Sequence, residues 1–194
     1  MSSKLKSAVR YLQRLEKLNL NVDEKYAIET YIDDSDEINQ YLRDPNIKGL
    51  SKLSTDRSLA LSKIIDSLIT QVAAPTTAEL IVWRGIHRGD VQFDKVGPGE
   101  ELEILSRGII STSLSRNVAL RFAGKKCCLL KITIPPQFSA LYVGFVSKFD
   151  EKEVLLPHNS AFVVTEVVQM PCGMWEIRAT CTQQKSISGK IISN

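Results

Sequence analysis

The sequence predicts an α+β domain in which helices come first and strands follow. Apolar residues at helical spacing fill the first third of the chain, and β-rich segments take over after Pro75. This order is typical of α+β folds with a mostly antiparallel sheet, and it differs from the strand–helix alternation of a parallel nucleotide-binding sheet. We therefore expect a single domain over 1–194, with helices over 1–75, a β core over 76–183 and a loose tail over 184–194.

Each predicted helix has a recognisable beginning or end. Apolar residues at 3–4-residue spacing over 5–15 predict the first helix. Asn21, followed three residues later by Glu24, has the pattern of a capping box that opens the second. Asp34 and Glu37 repeat that pattern for a third helix, which is expected to end at 44–45 because a residue before proline avoids the helical region.

A fourth helix is expected to begin at Ser54 or Thr55, to run through Leu68 and to be closed by Pro75. The acidic stretch over 33–37 is interpreted as a solvated helix start, where negative charge favours the helix dipole. Basic residues between 4 and 17 give the first helix a charged face, interpreted as the solvated side of a core helix; a membrane or partner surface is the alternative.

The β part contains seven strand-like segments and one helical insert. The insert covers 115–122, with Ser115 as its N-cap. The predicted strands lie at 80–83, 108–114, 127–134, 141–146, 154–156, 161–168 and 174–182.

Composition excludes several classes of protein. Hydrophobic residues make up 43% and charged residues 24% of the 194 residues, which excludes a disordered or fibrous chain. The net charge of +3 gives no reason to expect a nucleic-acid partner. The sequence has no apolar run of the ~20 residues needed to span a bilayer and no secretory h-region, so we expect a protein that works inside a cell, such as a host or target cell.

The cysteines and histidines do not form a metal-binding pattern. The four cysteines are Cys127, Cys128, Cys172 and Cys181, and we expect them to be reduced thiols. His87 and His158 lie in different predicted loops without ligand spacing, so no metal site is expected.

Three polar motifs stand out, although each has a plain structural interpretation when taken alone. Arg84 follows a predicted strand and could form an ordinary salt bridge or bind a phosphate. The Ser-Thr-Ser run at 111–113 could be a polar sheet face. Glu151 and Glu153 enter an apolar strand, where alternation would place both carboxylates on one face, roughly 6–7 Å apart.

Together these motifs resemble the arginine-type mono-ADP-ribosyltransferases, which include clostridial binary-toxin enzymes and vertebrate ecto-transferases. The resemblance covers Tyr31 to Val168. Its segments are Tyr31 with INQYLR, IVWRGI, GIISTSLSRNVALRFA and the run that ends in EKEVLLPHNSAFVV. It implies a helical part followed by a mostly antiparallel two-sheet core with an NAD cleft.

The resemblance also implies a reaction and the residues that perform it. NAD would be the co-substrate, nicotinamide would leave, and ADP-ribose would pass to an arginine of a target protein. The implied catalytic residues are Arg84 for the NAD phosphates, Ser111 to orient the catalytic carboxylate, Glu153 for the ribose 2′-hydroxyl and the developing positive charge, and Glu151 for the arginine acceptor. The implied NAD-binding residues are Tyr31, Asn39, Arg84, Gly85, Ser111, Phe122 and Glu153. Of these, the Gly85 backbone would meet the nicotinamide amide and the Phe122 ring would pack against nicotinamide.

Elementary chemistry agrees with these roles. A fixed carboxylate stabilises positive charge at a sugar carbon without transferring a proton. A guanidinium stays protonated and is a poor nucleophile, so a neighbouring base is needed to activate it. Two positions depart from the family pattern: Ser35 replaces a second aromatic, and Asn159 replaces a glycine.

Three alternatives remain open at this point. Water as acceptor would make the protein an NAD glycohydrolase, and another protein residue or a nucleic acid would make it a different transferase. The family tends to have Gln at the position of Glu151 when no guanidinium is activated, which favours arginine. A catalytically silent binding module is the third possibility. A short transferase of this kind suits a viral or phage protein or a bacterial effector.

Overall fold

The structure is a computed structural model. It describes residues 19–44, 55–72, 78–87, 96–102, 108–123, 127–146, 151–158 and 160–182. The first predicted helix over 5–15, the predicted helix end at Pro75 and the tail over 184–194 lie outside the described residues. No helix in the described ranges is long and apolar enough to cross a membrane.

Helix α1 (Val22–Arg43) begins at the predicted capping box and bends where a second cap was expected. Asn21 Oδ1 accepts from the Glu24 N–H at 2.9 Å, and Glu24 Oε2 accepts from the Asn21 N–H at 2.8 Å. At Asp34 the backbone leaves helical geometry (φ −135°, ψ 34°), so two helical segments meet there. The helix ends at Arg43 with Asp44 as its C-cap, which agrees with the predicted end at 44–45.

Two further helices follow. Helix α2 (Thr55–Ser67) continues into a π-helical turn at Leu68–Val72. Helix α3 (Arg116–Ala123) is the insert between strands, and the Ser115 hydroxyl accepts from the Val118 N–H at 3.5 Å, in the N-cap position that the sequence predicts.

The described strands confirm the mostly antiparallel β part. The sheet order is β4-β5-β2-β1-β3-β7-β6, and every neighbouring pair is antiparallel except β3–β7. The strands are β1 (Leu80–His87), β2 (Ile110–Ser113), β3 (Cys127–Ile134), β4 (Leu141–Tyr142), β5 (Glu153–Leu156), β6 (Ala161–Gln169) and β7 (Trp175–Thr182).

The two predicted sheets are joined into one. β1 and β2 pair only at Trp83 with Ser113, whereas β1 and β3 pair along eight residues. The sheet therefore consists of two groups of strands, β4-β5-β2 and β1-β3-β7-β6, with a short junction between them. Several strand bounds differ from prediction, and two of the differences are larger than a residue or two: β1 extends to His87, which is not in a loop, and β4 has two residues because the chain turns at 144–146.

The core forms on both faces of the sheet. One apolar cluster includes Leu130, Ile132 and Phe162, and the other packs helices α1 and α2 against residues such as Ile109 and Leu155. Because strand side chains alternate, the residues that follow Ile109 and precede Leu155 on this second face are Ser111 and Glu153. The helices thus cover the apolar end of this face, and the polar end opens into a cleft.

Candidate active site

A cleft opens where β1, β2, β5 and α3 meet the bend of α1. It brings together the three motifs that are far apart in the sequence. Its lining consists of Ser35, Asp36, Trp83, Arg84, Gly85, Ser111, Thr112, Ser113, Val118, Ala119, Phe122, Glu151 and Glu153. Arg84 is the one Lys or Arg among these described lining residues, and the carboxylates are those of Asp36, Glu151 and Glu153.

Arg84 bridges the short junction between β1 and β2. Its Nη1 donates to the Ser111 carbonyl oxygen at 2.6 Å. This contact holds a partly buried guanidinium in the wall of the cleft. A guanidinium fork has further donors, so the same side chain can bind an anion while it keeps this bond.

Gly85 is required by the packing of the protein itself. A Cβ at this position would lie 2.3 Å from the Ala119 carbonyl oxygen and 2.6 Å from the Ala123 nitrogen. Helix α3 therefore packs directly against β1 at this glycine. The contact between the Gly85 backbone and nicotinamide remains a prediction.

All three hydroxyls of the Ser-Thr-Ser run bond to the segment that carries the glutamates. Ser111 Oγ donates to Glu153 Oε1 at 2.5 Å. Thr112 Oγ1 donates to the Val154 carbonyl oxygen at 2.7 Å, and Ser113 Oγ donates to the Glu151 carbonyl oxygen at 2.5 Å. The motif therefore fixes both the carboxylate and the backbone of its neighbour strand.

Glu153 is a buried carboxylate with one oxygen held and the other unsatisfied. The Glu153 residue is 6% exposed, and its Oε2 has no hydrogen-bond partner among the residues that the structure describes. Burial raises the pKa of the Glu153 carboxyl, the bond from Ser111 lowers it, the charge of Glu151 raises it, and the charge of Arg84 lowers it. A buried acceptor without a donor indicates a place for a ligand hydroxyl or amide.

The backbone between the two glutamates differs from the predicted strand. β5 begins only at Glu153, and Lys152 lies in the left-handed region at φ 49°. The alternation that was expected to align Glu151 with Glu153 on one face is therefore wrong, because a left-handed residue interrupts the extended chain. Both glutamates nevertheless line the cleft.

Tyr31 and Asn39 lie next to the cleft and not in its lining. The Tyr31 hydroxyl donates to the Ile109 carbonyl oxygen at 2.9 Å and accepts from Asn39 Nδ2 at 3.1 Å. Burial raises the pKa of Tyr31, so the phenol stays neutral. The bonds join α1 to the start of β2, and direct contact of either residue with NAD remains a prediction.

Phe122 lies on α3 and lines the cleft with 56% of its surface exposed. An exposed aromatic ring in a cleft offers a face on which a flat ligand can stack. The packing of this ring against nicotinamide remains a prediction.

Sequence reasoning missed Asp36 as a residue of the site. The acidic stretch was interpreted as a solvated helix start, but the bend at Asp34 brings Ser35 and Asp36 to the cleft. Two capping patterns within one helical region were the signal that could have indicated this bend.

Trp83 also lines the cleft, and two cations lie near its ring. The Arg116 guanidinium carbon and Lys131 Nζ are each 5.7 Å from the centroid of the Trp83 ring.

Among the described residues no group of three or more His, Cys, Asp or Glu side chains could hold a metal ion.

Comparison with known proteins agrees with the motifs. The family model "ADP-ribosyltransferase exoenzyme" matches residues 9–184. A comparison with curated protein sequences gave no match.

Solved structures show the same fold at low sequence identity. An ADP-ribosyltransferase of Clostridium botulinum superposes with a TM-score of 0.72 at 21% identity, covering 94% of this chain and 98% of that one. A protein of S. aureus, solved with NAD, has a TM-score of 0.69 at 19% identity over 94% and 97% of the chains. Vis toxin of Vibrio splendidus, solved with agmatine, has a TM-score of 0.69 at 17% identity over 97% and 90%.

Proposed function

Because the chain belongs to the ADP-ribosyltransferase exoenzyme family, we propose that it moves ADP-ribose from NAD to an arginine side chain of a target protein. The family determines the reaction class, since these toxin-like transferases use NAD as their donor substrate. The observation that carries the finer proposal is the arrangement of the two glutamates. Glu153 is buried and held by Ser111, and its Oε2 has no partner within the described part of the chain, while Glu151 lines the same cleft.

The described residues fit NAD. Glu153 Oε2 needs a donor, and a ribose hydroxyl supplies one. Arg84 supplies a guanidinium for the pyrophosphate, and Phe122 an exposed ring for the nicotinamide. We propose that these three residues hold NAD, with the Gly85 backbone beside the nicotinamide amide.

NAD, when bound, supplies ADP-ribose through the cleavage of its nicotinamide–ribose bond. Glu153 stabilises the positive charge that develops at the ribose carbon, and the low dielectric around a buried carboxylate strengthens that effect. Ser111 keeps the Glu153 carboxylate in place and favours its charged form, because the hydroxyl donates to it.

Glu151 supports arginine as the acceptor. Its side chain lines the cleft together with that of Glu153, so a cation that enters the cleft can reach it. A carboxylate next to a guanidinium can orient it bidentately and take its proton as the new bond forms. Vis toxin, which has the same fold, binds agmatine, a small guanidine.

Labelling of a lysate tests the proposal. The purified protein, incubated with cell lysate and NAD labelled in its adenylate part, is expected to label a protein, and peptide mass spectrometry should locate the label on arginine. Glu153→Ala should abolish labelling, whereas Glu29→Ala, which removes an exposed carboxylate from α1, should not. Labelling that survives Glu153→Ala would contradict the role of Glu153.

A second variant separates arginine transfer from the alternatives. Glu151→Gln should reduce transfer to agmatine by roughly a hundredfold and leave NAD hydrolysis largely intact. Release of nicotinamide without transfer to any guanidine would indicate an NAD glycohydrolase. A label on another residue or on nucleic acid would indicate a different acceptor.

A further inference from the structure

We infer that Ser113 and the left-handed backbone of Lys152 position Glu151 for the acceptor, independently of Ser111, which positions Glu153. The inference rests on the proposed function, because it assigns Glu151 to the acceptor. Ser113 and Lys152 are then positioning residues, since they act through Glu151.

Ser113 connects the Glu151 backbone to the start of helix α3. Its hydroxyl donates to the Glu151 carbonyl oxygen at 2.5 Å and accepts from the Ser115 N–H at 3.0 Å. Ser113 is 5% exposed, so these bonds are shielded from water. Glu151 is therefore held by its main chain, and the residue lines the cleft.

The backbone conformation of Lys152 determines the direction of the chain after Glu151, whose carbonyl oxygen is bonded to Ser113. It is a non-glycine residue at φ 49°, a conformation that L-residues disfavour and that persists where neighbouring contacts enforce it. Its carbonyl oxygen accepts from the Leu114 N–H at 3.0 Å, and the next carbonyl, of Glu153, accepts from the Val143 N–H at 3.0 Å. The Lys152 residue is exposed, so the backbone conformation is what this position contributes to the site.

The two glutamates are thus held by different means. Ser111 bonds to the side chain of Glu153, and Ser113 bonds to the main chain of Glu151. A change at Ser113 or Lys152 can displace Glu151 while the Ser111–Glu153 bond remains. We therefore expect a change at Ser113 or Lys152 to lower the rate of transfer to the acceptor more than the rate of NAD cleavage.

Two pairs of variants test this separation. Ser113→Ala removes the hydroxyl and Ser113→Thr restores one. Lys152→Val and Lys152→Asn both remove the lysine charge, but valine opposes the left-handed conformation and asparagine tolerates it. For each variant, transfer of ADP-ribose to agmatine and release of nicotinamide without acceptor are measured, together with the KM for NAD.

Ser113→Ala and Lys152→Val are expected to lower the kcat for agmatine transfer on the order of tenfold relative to nicotinamide release, with the KM for NAD unchanged. Ser113→Thr and Lys152→Asn should retain the wild-type ratio. Equal losses of transfer and hydrolysis in the alanine and valine variants would overturn the inference, as would equal behaviour of valine and asparagine at 152.

A titration that needs no acceptor distinguishes this failure from that of the proposed function. The Glu151 charge raises the pKa of the Glu153 carboxyl, so displacement of Glu151 should lower that pKa. We expect carbon NMR of labelled glutamate to show this shift in Lys152→Val, as in Glu151→Gln, and not in Lys152→Asn. If the shift occurs but agmatine is not modified in the wild type, the positioning holds and arginine is the wrong acceptor. If Lys152→Val leaves the pKa unchanged, the positioning is wrong.

Discussion

Ser111 connects the two groups expected to act on NAD. Its carbonyl oxygen accepts from Arg84 and its hydroxyl donates to Glu153. One residue of β2 therefore fixes both the cation in the cleft wall and the buried carboxylate. Since the hydroxyl bond favours the ionised form of Glu153, Ser111 also affects the pH range in which the carboxylate is charged.

Replacement of the Ser111 hydroxyl should shift the acid limb of the pH–rate profile. Ser111→Ala removes a bond that lowers the pKa of Glu153, so the pKa rises further and a higher pH is needed to ionise the carboxyl. In the pH profile of kcat/KM for nicotinamide release, we expect the acid limb to shift upward, with a rate on the order of tenfold lower at its acidic end.

Thr112→Val provides the matched control for that profile. It removes a hydroxyl from the same strand, but this hydroxyl bonds to the Val154 carbonyl oxygen and not to a carboxylate. The acid limb of the Thr112→Val profile should stay at the wild-type pH even if this variant is less stable. A shift of the same size in both variants would contradict the assignment of Ser111.

At the scale of elements, helix α3 packs directly against β1 beside the cleft. Helix α3 carries Phe122 and packs against Gly85, which has no Cβ to separate the two elements. Arg116, in the first turn of α3, also lies over the Trp83 ring. The nicotinamide side of the proposed site therefore depends on a helix–strand contact that only glycine permits.

Gly85→Ala should destabilise the fold by about 2–3 kcal/mol, because the new methyl group meets backbone atoms that cannot move aside easily. Gly97→Ala is the control, since a Cβ there has no atom within 4 Å and the change should be within about 0.5 kcal/mol of neutral. Urea unfolding measures both. Equal stabilities of the two variants would show that α3 is not packed as described.

A second link between elements depends on pH. His158 Nδ1 lies 2.7 Å from Asp66 Oδ1, so the turn after β5 is tied to α2. The bond to Asp66 raises the pKa of His158 against a smaller opposing effect of burial. The resulting stability is complete below the unfolded pKa near 6.5 and is lost as pH rises through the folded pKa.

His158→Gln should therefore lower the free energy of unfolding at pH 6 by at most about 1 kcal/mol, because the pair is partly exposed. At pH 9 the difference should be smaller. Unfolding curves at the two pH values measure it, and a loss that grows with pH would show that the charged pair is not what stabilises the turn.

At the scale of the whole molecule, the cleft lies at the narrowest junction of the sheet. The strands β4-β5-β2 carry Ser111 and Glu153, and the strands β1-β3-β7-β6 carry Arg84 and Gly85. Backbone pairing joins the two groups at Trp83 and Ser113, and the Arg84 side chain adds one bond. A ligand that contacts Arg84 and Glu153 would therefore connect both groups.

Hydrogen exchange should detect this connection. NADH is a suitable probe because its uncharged nicotinamide is a poor leaving group. At a hundred times its Kd, exchange that proceeds through global opening should slow by roughly a hundredfold. We expect the amides near 83–85 and near 111–113 to be protected together. Protection confined to one group of strands would contradict binding across the junction.

Much of this architecture could be predicted from the sequence because local signals and fold agree. The capping box at Asn21, the strand at 127–134 and the end of α1 before Pro45 each follow from short-range chemistry. The order of the motifs also identified the family, because together they resemble the pattern of known transferases, and the family model confirms that resemblance.

Other features depend on contacts that the sequence does not display. The left-handed Lys152 is enforced by bonds from Ser113 and Leu114, so an alternating pattern misrepresented it. Asp36 reaches the cleft only because α1 bends, and the junction of the sheet depends on how β1 and β2 diverge. Tertiary packing overrides local preference in each of these cases.

The successive hydroxyls at 111–113 have a consequence for how the enzyme becomes active during folding. A slip of β2 by a single residue would turn each hydroxyl to the opposite side and release all three bonds to the 151–154 segment at once. A misaligned chain would thus lose the bond that holds the Glu153 carboxylate, so recovery of catalysis after dilution from urea reports on the alignment of these two strands.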